Sequence, residues 1–166
     1  MDYTVRMAYR LKSRGYQKDP PALIHPCILI GAGEMLTPNF QKKYGITHVI
    51  NCAEDDKCPS WFKNMYPERY HCIGAKDSLT VNILSWYPEF RECMKDFLKH
   101  KESKTIYVHC QCGINRSAFL ALMFVCDVFS YPFDSAYLSI LSQRPCALTN
   151  SSFLNQIKSA LSKKSD

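Results

Sequence analysis

The sequence is expected to fold as an α/β domain with a central, mostly parallel sheet of four to five strands flanked by helices. Short β-branched runs alternate along the chain with segments whose apolar residues recur at helical spacing, the pattern of strands joined by crossover helices. The 166 residues suit one domain with one core, 46% of them hydrophobic and 22% charged, as in ordinary globular proteins. No internal repeat, low-complexity tract or interdomain linker interrupts the alternation.

Asp19-Pro20-Pro21 separates an amino-terminal arm, residues 1–23, from a body that begins near Ile24. The arm has helical potential and carries Arg6, Arg10, Lys12, Arg14 and Lys18, a run expected to be a solvated, partly mobile segment rather than a nucleic-acid arm. Cys27-Ile28-Leu29-Ile30, closed by Gly31-Ala32-Gly33, is the first expected strand. Thr37 and Pro38 supply a cap and an early proline for a short helix to about Lys43, which Tyr44-Gly45 ends. Ile46 to Cys52 has the β-branched richness of a buried strand, and Tyr70 to Ile73 forms another.

From Ser85 to Lys99, Trp86, Phe90, Met94, Phe97 and Leu98 mark an amphipathic helix, with Pro88 tolerable in its first turn. Thr105 to Val108 is the next strand. Ala118 to Cys126 is apolar at every position, as expected of a helix buried on most sides. Helices over about Phe133–Ser142 and Ser151–Leu161 complete the chain. In such folds, sites form where strand carboxyl ends meet helix amino ends.

One junction of that kind carries chemistry. Cys110 leaves a strand, Ser117 opens a helix, and Arg116 stands six residues beyond Cys110. A compact loop across that interval can turn the backbone N–H groups of Gln111, Cys112, Gly113, Ile114 and Asn115 toward one centre, where the helix terminus adds partial positive charge. A phosphate dianion suits such a cradle. The Arg116 guanidinium can meet two phosphoryl oxygens at once and follow them as the group flattens. The same field favours the thiolate of Cys110, the form that attacks phosphorus. Ser117 is expected to hydrogen-bond the sulfur and stabilise it as a leaving group, and His109 to fix the loop. Breakdown of a phosphomonoester also needs a proton for the departing oxygen. Asp77, after a strand end, is assigned that role, with Asp55 and Asp56 as substitutes.

His109-Cys110, five residues, then Arg116-Ser117 resembles the signature of cysteine-based protein tyrosine phosphatases, specifically the small atypical members of the dual-specificity branch. The similarity runs from about Ile24 onward: Gly45 to Glu54 is similar to that branch's second-strand region, and Asp77 sits at the spacing of its general acid. Arg144-Pro145 and Asn150 to Gln156 resemble its closing helix, where Asn150 matches an asparagine that supports the phosphate loop. Proline often precedes that asparagine in the family; Thr149 stands there in this chain. The resemblance implies a catalytic domain over 24–166 that hydrolyses phosphotyrosine and phosphoserine/threonine in proteins, with neither cofactor nor metal. RNA 5′-triphosphatase activity is an alternative, since related enzymes resemble Ile114-Asn115-Arg116, and a silent phosphate-binding module is a third. A Lys-rich loop of the kind expected in phosphoinositide 3-phosphatases is missing, so lipid substrates are less favoured.

The net charge of +6 suits anionic partners, phosphoproteins first and RNA second. No apolar run reaches the ~18 residues of a membrane span, and the start lacks the h-region of a signal peptide, so a cytoplasmic or nuclear location without membrane insertion is expected. Nine cysteines, with neither CxxC pairs nor zinc-finger spacing, fit reduced thiols. Cys52 is a candidate redox partner for Cys110, although a small buried hydrophobe is the more ordinary role; Cys112 shares the ambiguity. In some small viral relatives an amino-terminal helix mediates dimerisation, which extends to residues 1–19 the expectation of a homodimer.

Overall fold

The computed structural model describes residues 3–165. Its sheet has five strands: β1 (Ala22–His25), β2 (Ile28–Ala32), β3 (Ile46–Asn51), β4 (Tyr70–Cys72) and β5 (Thr105–Cys110), in the spatial order β1-β2-β5-β3-β4. Every neighbouring pair is parallel except the edge hairpin β1–β2. Seven helices surround it: α1 (Tyr3–Leu11), α2 (Pro38–Tyr44), α3 (Ser60–Met65), α4 (Tyr87–Lys99), α5 (Arg116–Val128), α6 (Phe133–Gln143) and α7 (Ser151–Ser165).

Period-two alternation divides the core between the two faces. On β5, Ile106, Val108 and Cys110 join the large cluster beneath α4 to α7, while Tyr107 joins a smaller one with Leu36, Val49 and Phe62 beneath α2 and α3. Both faces of the central strand are therefore buried, which is why Ile106-Tyr107-Val108 is apolar without alternation. From Arg116 to Val125, α5 is buried at every residue, as the uninterrupted apolar stretch requires. Helix α2 carries the expected signals: Thr37 Oγ1 accepts from Phe40 N at 3.1 Å, and Gly45 adopts φ 64° at the carboxyl end.

Two elements were not expected. Strand β1 is four residues long between Pro20-Pro21 and Pro26, and such a short proline-flanked segment survives because it lies at a sheet edge. Helix α3, six residues, is too short for periodicity to reveal; Phe62 anchors it, and Trp61 Nε1 donates to Leu36 O at 2.9 Å. Strand β5 extends to Cys110 and α5 starts at Arg116, so the connection between them is only Gln111–Asn115. Among the described residues no helix is long and apolar enough to cross a membrane.

From Arg10 to Pro20 the chain before Ile24 is tied to the body rather than free in solvent. In α1, Arg10 points inward and donates to Ala147 O (2.7 Å) and Leu148 O (2.6 Å), while Leu11 is 81% exposed. Asp19 is buried and accepts from Ser13 Oγ (2.7 Å), Arg14 N (2.7 Å) and Cys146 N (2.9 Å). The tie that gathers this segment is Arg144, fully buried, whose guanidinium donates to Tyr16 O (2.9 Å), Asp19 O (2.7 Å) and Pro20 O (3.2 Å). Its remaining donors reach Cys112 O (2.7 Å) and Gly113 O (2.8 Å).

Arg144→Met leaves those carbonyls without their donor inside the protein, and each charged hydrogen bond lost is worth about 1.5–3 kcal/mol. A drop in unfolding free energy of at least about 3 kcal/mol is expected from urea titration of the variant; a change below about 0.5 kcal/mol would mean that water replaces the guanidinium at no cost.

Candidate active site

The parallel strands β2, β5 and β3 all end at one edge, with Ala32, Cys110 and Asn51 as their last residues. Cys110 is 2% exposed, and its Sγ lies 3.4 Å from Ser117 Oγ in the first turn of α5. Between them the chain turns within five residues, and the turn depends on Gly113. Its φ is 65°, and a Cβ there would fall 2.3 Å from Gly31 C and 2.5 Å from Gly31 O at the end of β2. No side chain fits that approach.

The carbonyls of the loop are drawn to one side. Arg144 takes Cys112 O and Gly113 O, and Leu148 N donates to Ile114 O at 2.7 Å. Because N–H and C=O of a trans peptide point in opposite directions, the N–H groups of Gly113, Ile114 and Asn115 are turned the other way, toward the pocket. Leu148 holds a left-handed backbone (φ 64°) in making this contact, pinned from outside by Arg10 on its carbonyl.

Arg116 is 8% exposed. Its Nη1 donates to Glu54 Oε1 (3.2 Å) and Ala75 O (3.1 Å), while Nε is buried with no hydrogen-bond partner among the described residues. Glu54 is held below the usual carboxylate range, first by its own backbone N–H and then, against some burial, by Arg116. One edge of the guanidinium is thus fixed, and a buried donor remains for an anion.

Asp77 lies across the same pocket, a cavity of about 320 Å³ that Cys110, Asn115, Arg116 and Thr149 border together with Gln111, Cys112 and Ile114. Asp77 Oδ2 accepts from Asn115 Nδ2 (3.1 Å) and Oδ1 from Asn150 Nδ2 (3.0 Å). Asn150 also caps α7 by accepting from Phe153 N (3.0 Å), and its own N–H donates to Asn115 Oδ1 (2.9 Å). The arrangement offers a sulfur nucleophile, a ring of N–H donors, a guanidinium and a carboxyl group around one small volume.

A family model described as the dual specificity phosphatase catalytic domain matches residues 28–163. The chain belongs to the dual specificity phosphatase catalytic-domain family. Human dual specificity protein phosphatase 1 is 28% identical over 143 residues, covering 86% of this chain and 37% of that protein. Human dual specificity protein phosphatase 4 is 32% identical over 113 residues, 68% of this chain and 27% of that protein. The chain therefore spans well under half the length of these curated relatives. Among solved structures, the human tyrosine phosphatase-like serine/threonine/tyrosine-interacting protein shares the fold with a TM-score of 0.73 at 21% identity, covering 90% of this chain and 100% of that one. Human DUSP28 gives 0.73 at 16% identity, with 89% and 96% covered.

Within this dual specificity phosphatase domain, the candidates from sequence separate clearly. Asp77 borders the pocket of Cys110, whereas Asp55 is bound to Tyr70 Oη (2.6 Å) and Lys63 (3.0 Å), and neither Asp55 nor Asp56 borders it. Among the described residues Asn150 reaches the loop through its backbone N–H on Asn115, while its side chain donates to the Asp77 segment and caps α7. Cys52 is fully buried, and burial first, then the neighbouring Cys110, pushes its thiol well above the ordinary value. That disfavours the thiolate an exchange partner needs. Burial likewise raises Cys112.

Three contributors escaped sequence analysis as site residues: Glu54 on Arg116, Arg144 behind the loop, and Thr149 beside Asn115. In the sequence Arg144 and Thr149 drew notice only through the family pattern, Arg144 as part of Arg144-Pro145 and Thr149 as a departure from proline. His109 is fully buried; its Nδ1–H donates to Cys110 O at 3.2 Å, and burial pushes the imidazole down to about 4.

His48, also buried, is pushed down to about 4, by burial first and by His100 second. Unfolding frees both imidazoles to bind protons near their ordinary 6.5, so between those values the unfolded state holds more protons and stability falls as pH falls. The unfolding free energy from urea titration should decline from pH 7 to pH 5, by no more than about 2.7 kcal/mol per pH unit from this pair. A flat profile would show that neither histidine is kept neutral.

Proposed function

We propose that this domain hydrolyses phosphotyrosine and phosphoserine/threonine in proteins through a phosphocysteine at Cys110. The observation that carries the proposal is the unpaired Arg116 Nε, buried beside Cys110 in the pocket that Asp77 also borders. In the first step the Cys110 thiolate forms an S–P bond as the P–O bond to the substrate breaks. Asp77 gives its proton to the departing oxygen, a phenoxide or alkoxide that leaves poorly without one. In the second, Asp77, now a carboxylate, takes a proton from water as the new O–P bond forms. Ser117 Oγ–H donates to the sulfur as it departs, a contact its 3.4 Å separation supports. The N–H groups of the loop and Arg116 hold the equatorial oxygens throughout, in the manner of an oxyanion hole.

The assignment to proteins rests on the names of the relatives, which are dual specificity protein phosphatases. The nine cysteines are all unpaired, which supports a reducing compartment, cytosolic or nuclear.

Purified protein is expected to dephosphorylate both phosphotyrosine and phosphothreonine peptides, with turnover lowered about a thousandfold or more in Cys110→Ser. Phosphate release from triphosphate-ended RNA alone, in the same panel, would replace the protein substrates with RNA. Wild-type protein that retains phosphopeptides as well as Cys110→Ser does, without turnover, would make the domain a binding module.

A further inference from the structure

Asn115 occupies the amino-cap position of α5, yet its side chain caps nothing there. Asparagine at such a position ordinarily accepts an N–H from its own helix. This one is spent elsewhere. Its Oδ1 accepts from Thr149 N and Asn150 N, both at 2.9 Å, and its Nδ2 donates to Asp77 Oδ2 at 3.1 Å and to Thr149 Oγ1 at 3.2 Å. One primary amide, 8% exposed, thus joins the phosphate loop, the segment carrying Asp77, and the connection from α6 to α7.

The direction of the amide is not free. Two backbone N–H donors meet one of its ends, so that end must be the oxygen and the nitrogen must face Asp77. Thr149 completes the arrangement with both its N–H and its hydroxyl. A proline at 149 would have no N–H to give, and Asn115 would lose one of the donors that orient it.

We propose that Asn115, backed by Thr149, is a positioning residue that aims Asp77 at the leaving-group oxygen. The inference rests on the assignment of Asp77 as general acid. A general acid must lie within hydrogen-bond reach of the oxygen it protonates. Asp77 sits in a segment without helix or strand between β4 and the turn before α4, and such a segment does not fix a carboxyl group unaided. Asn115 and Asn150 hold one carboxyl oxygen each. Asn150 ties Asp77 to α7, whereas Asn115 ties it to the residue next to Arg116, so the acid keeps register with the bound phosphoryl group itself.

Proton donation matters most when the leaving group is poor. The test is therefore steady-state kinetics on phenyl phosphate, a poor leaving group, and p-nitrophenyl phosphate, a good one. Wild type, Asp77→Ala, Asn115→Ala and the double variant are compared, with Asn115→Ser as a second substitution should Asn115→Ala fold poorly. Asp77→Ala is expected to lose about 10²-fold or more in kcat on phenyl phosphate and much less on p-nitrophenyl phosphate. Asn115→Ala should lose at least about fivefold more on phenyl than on p-nitrophenyl phosphate, and that selective loss should vanish in the Asp77→Ala background, as coupled residues require. Thr149→Val, which keeps the N–H, should show a smaller selective loss. Equal losses on both substrates in Asn115→Ala, or a selective loss that persists without Asp77, would overturn the positioning role while leaving Asp77 as the acid. If Asp77→Ala itself shows no leaving-group dependence, the acid assignment fails and the role of Asn115 fails with it.

Discussion

A single buried guanidinium with no ion-pair partner among the described residues holds this domain in its working shape. Arg144 is surrounded by the carbonyls of Tyr16, Asp19, Pro20, Cys112 and Gly113. A charge taken from water must be solvated by something, and here backbone dipoles do it. No carboxylate among the described residues pairs with it, and it lies beneath a loop whose other side carries the N–H groups of Gly113, Ile114 and Asn115. Two functions follow from one residue: the loop's carbonyls are drawn back so that its N–H groups face forward, and the segment before β1 is fastened to the same point. The amino-terminal stretch is therefore part of the scaffold of the phosphate loop.

The pocket itself is assembled from parts that the sheet brings together. Cys110 comes from the end of β5, Arg116 from the start of α5, Glu54 from the turn after β3, and Asp77 from the segment after β4. Parallel neighbours with all their carboxyl ends at one edge make that convergence unavoidable. What remains is fine alignment, and polar side chains supply it: Glu54 fixes one edge of Arg116, while Asn115 and Asn150 each hold an oxygen of Asp77.

How much of this was legible in the sequence depended on distance along the chain. Strand β3 stood out by its β-branched residues, and β5 and α5 by the apolar runs at 106–108 and 118–126 that burial on both sides leaves. Cys110, Gly113, Arg116 and Ser117 were legible because the loop that unites them is contiguous. Strand β1 and helix α3 were hidden by their brevity, since neither offers a full period. Arg144 looked like one more charge before a proline, and Arg10 like one of five in a basic arm, because the carbonyls that receive them lie more than thirty residues away, most of them more than a hundred. Thr149 looked like a departure from the family; in the folded chain its N–H has an acceptor, Asn115 Oδ1, that a proline could not serve.

The central claim is that Cys110 takes the phosphoryl group. Rapid-quench reaction of the wild type with a radiolabelled phosphotyrosine peptide, followed by peptide mapping under acid, tests it most directly. The account predicts label on the peptide containing Cys110, formed before free phosphate appears and accumulating further in Ser117→Ala, where departure of the sulfur is slowed. Turnover that continues with no label on Cys110 at any time would contradict it.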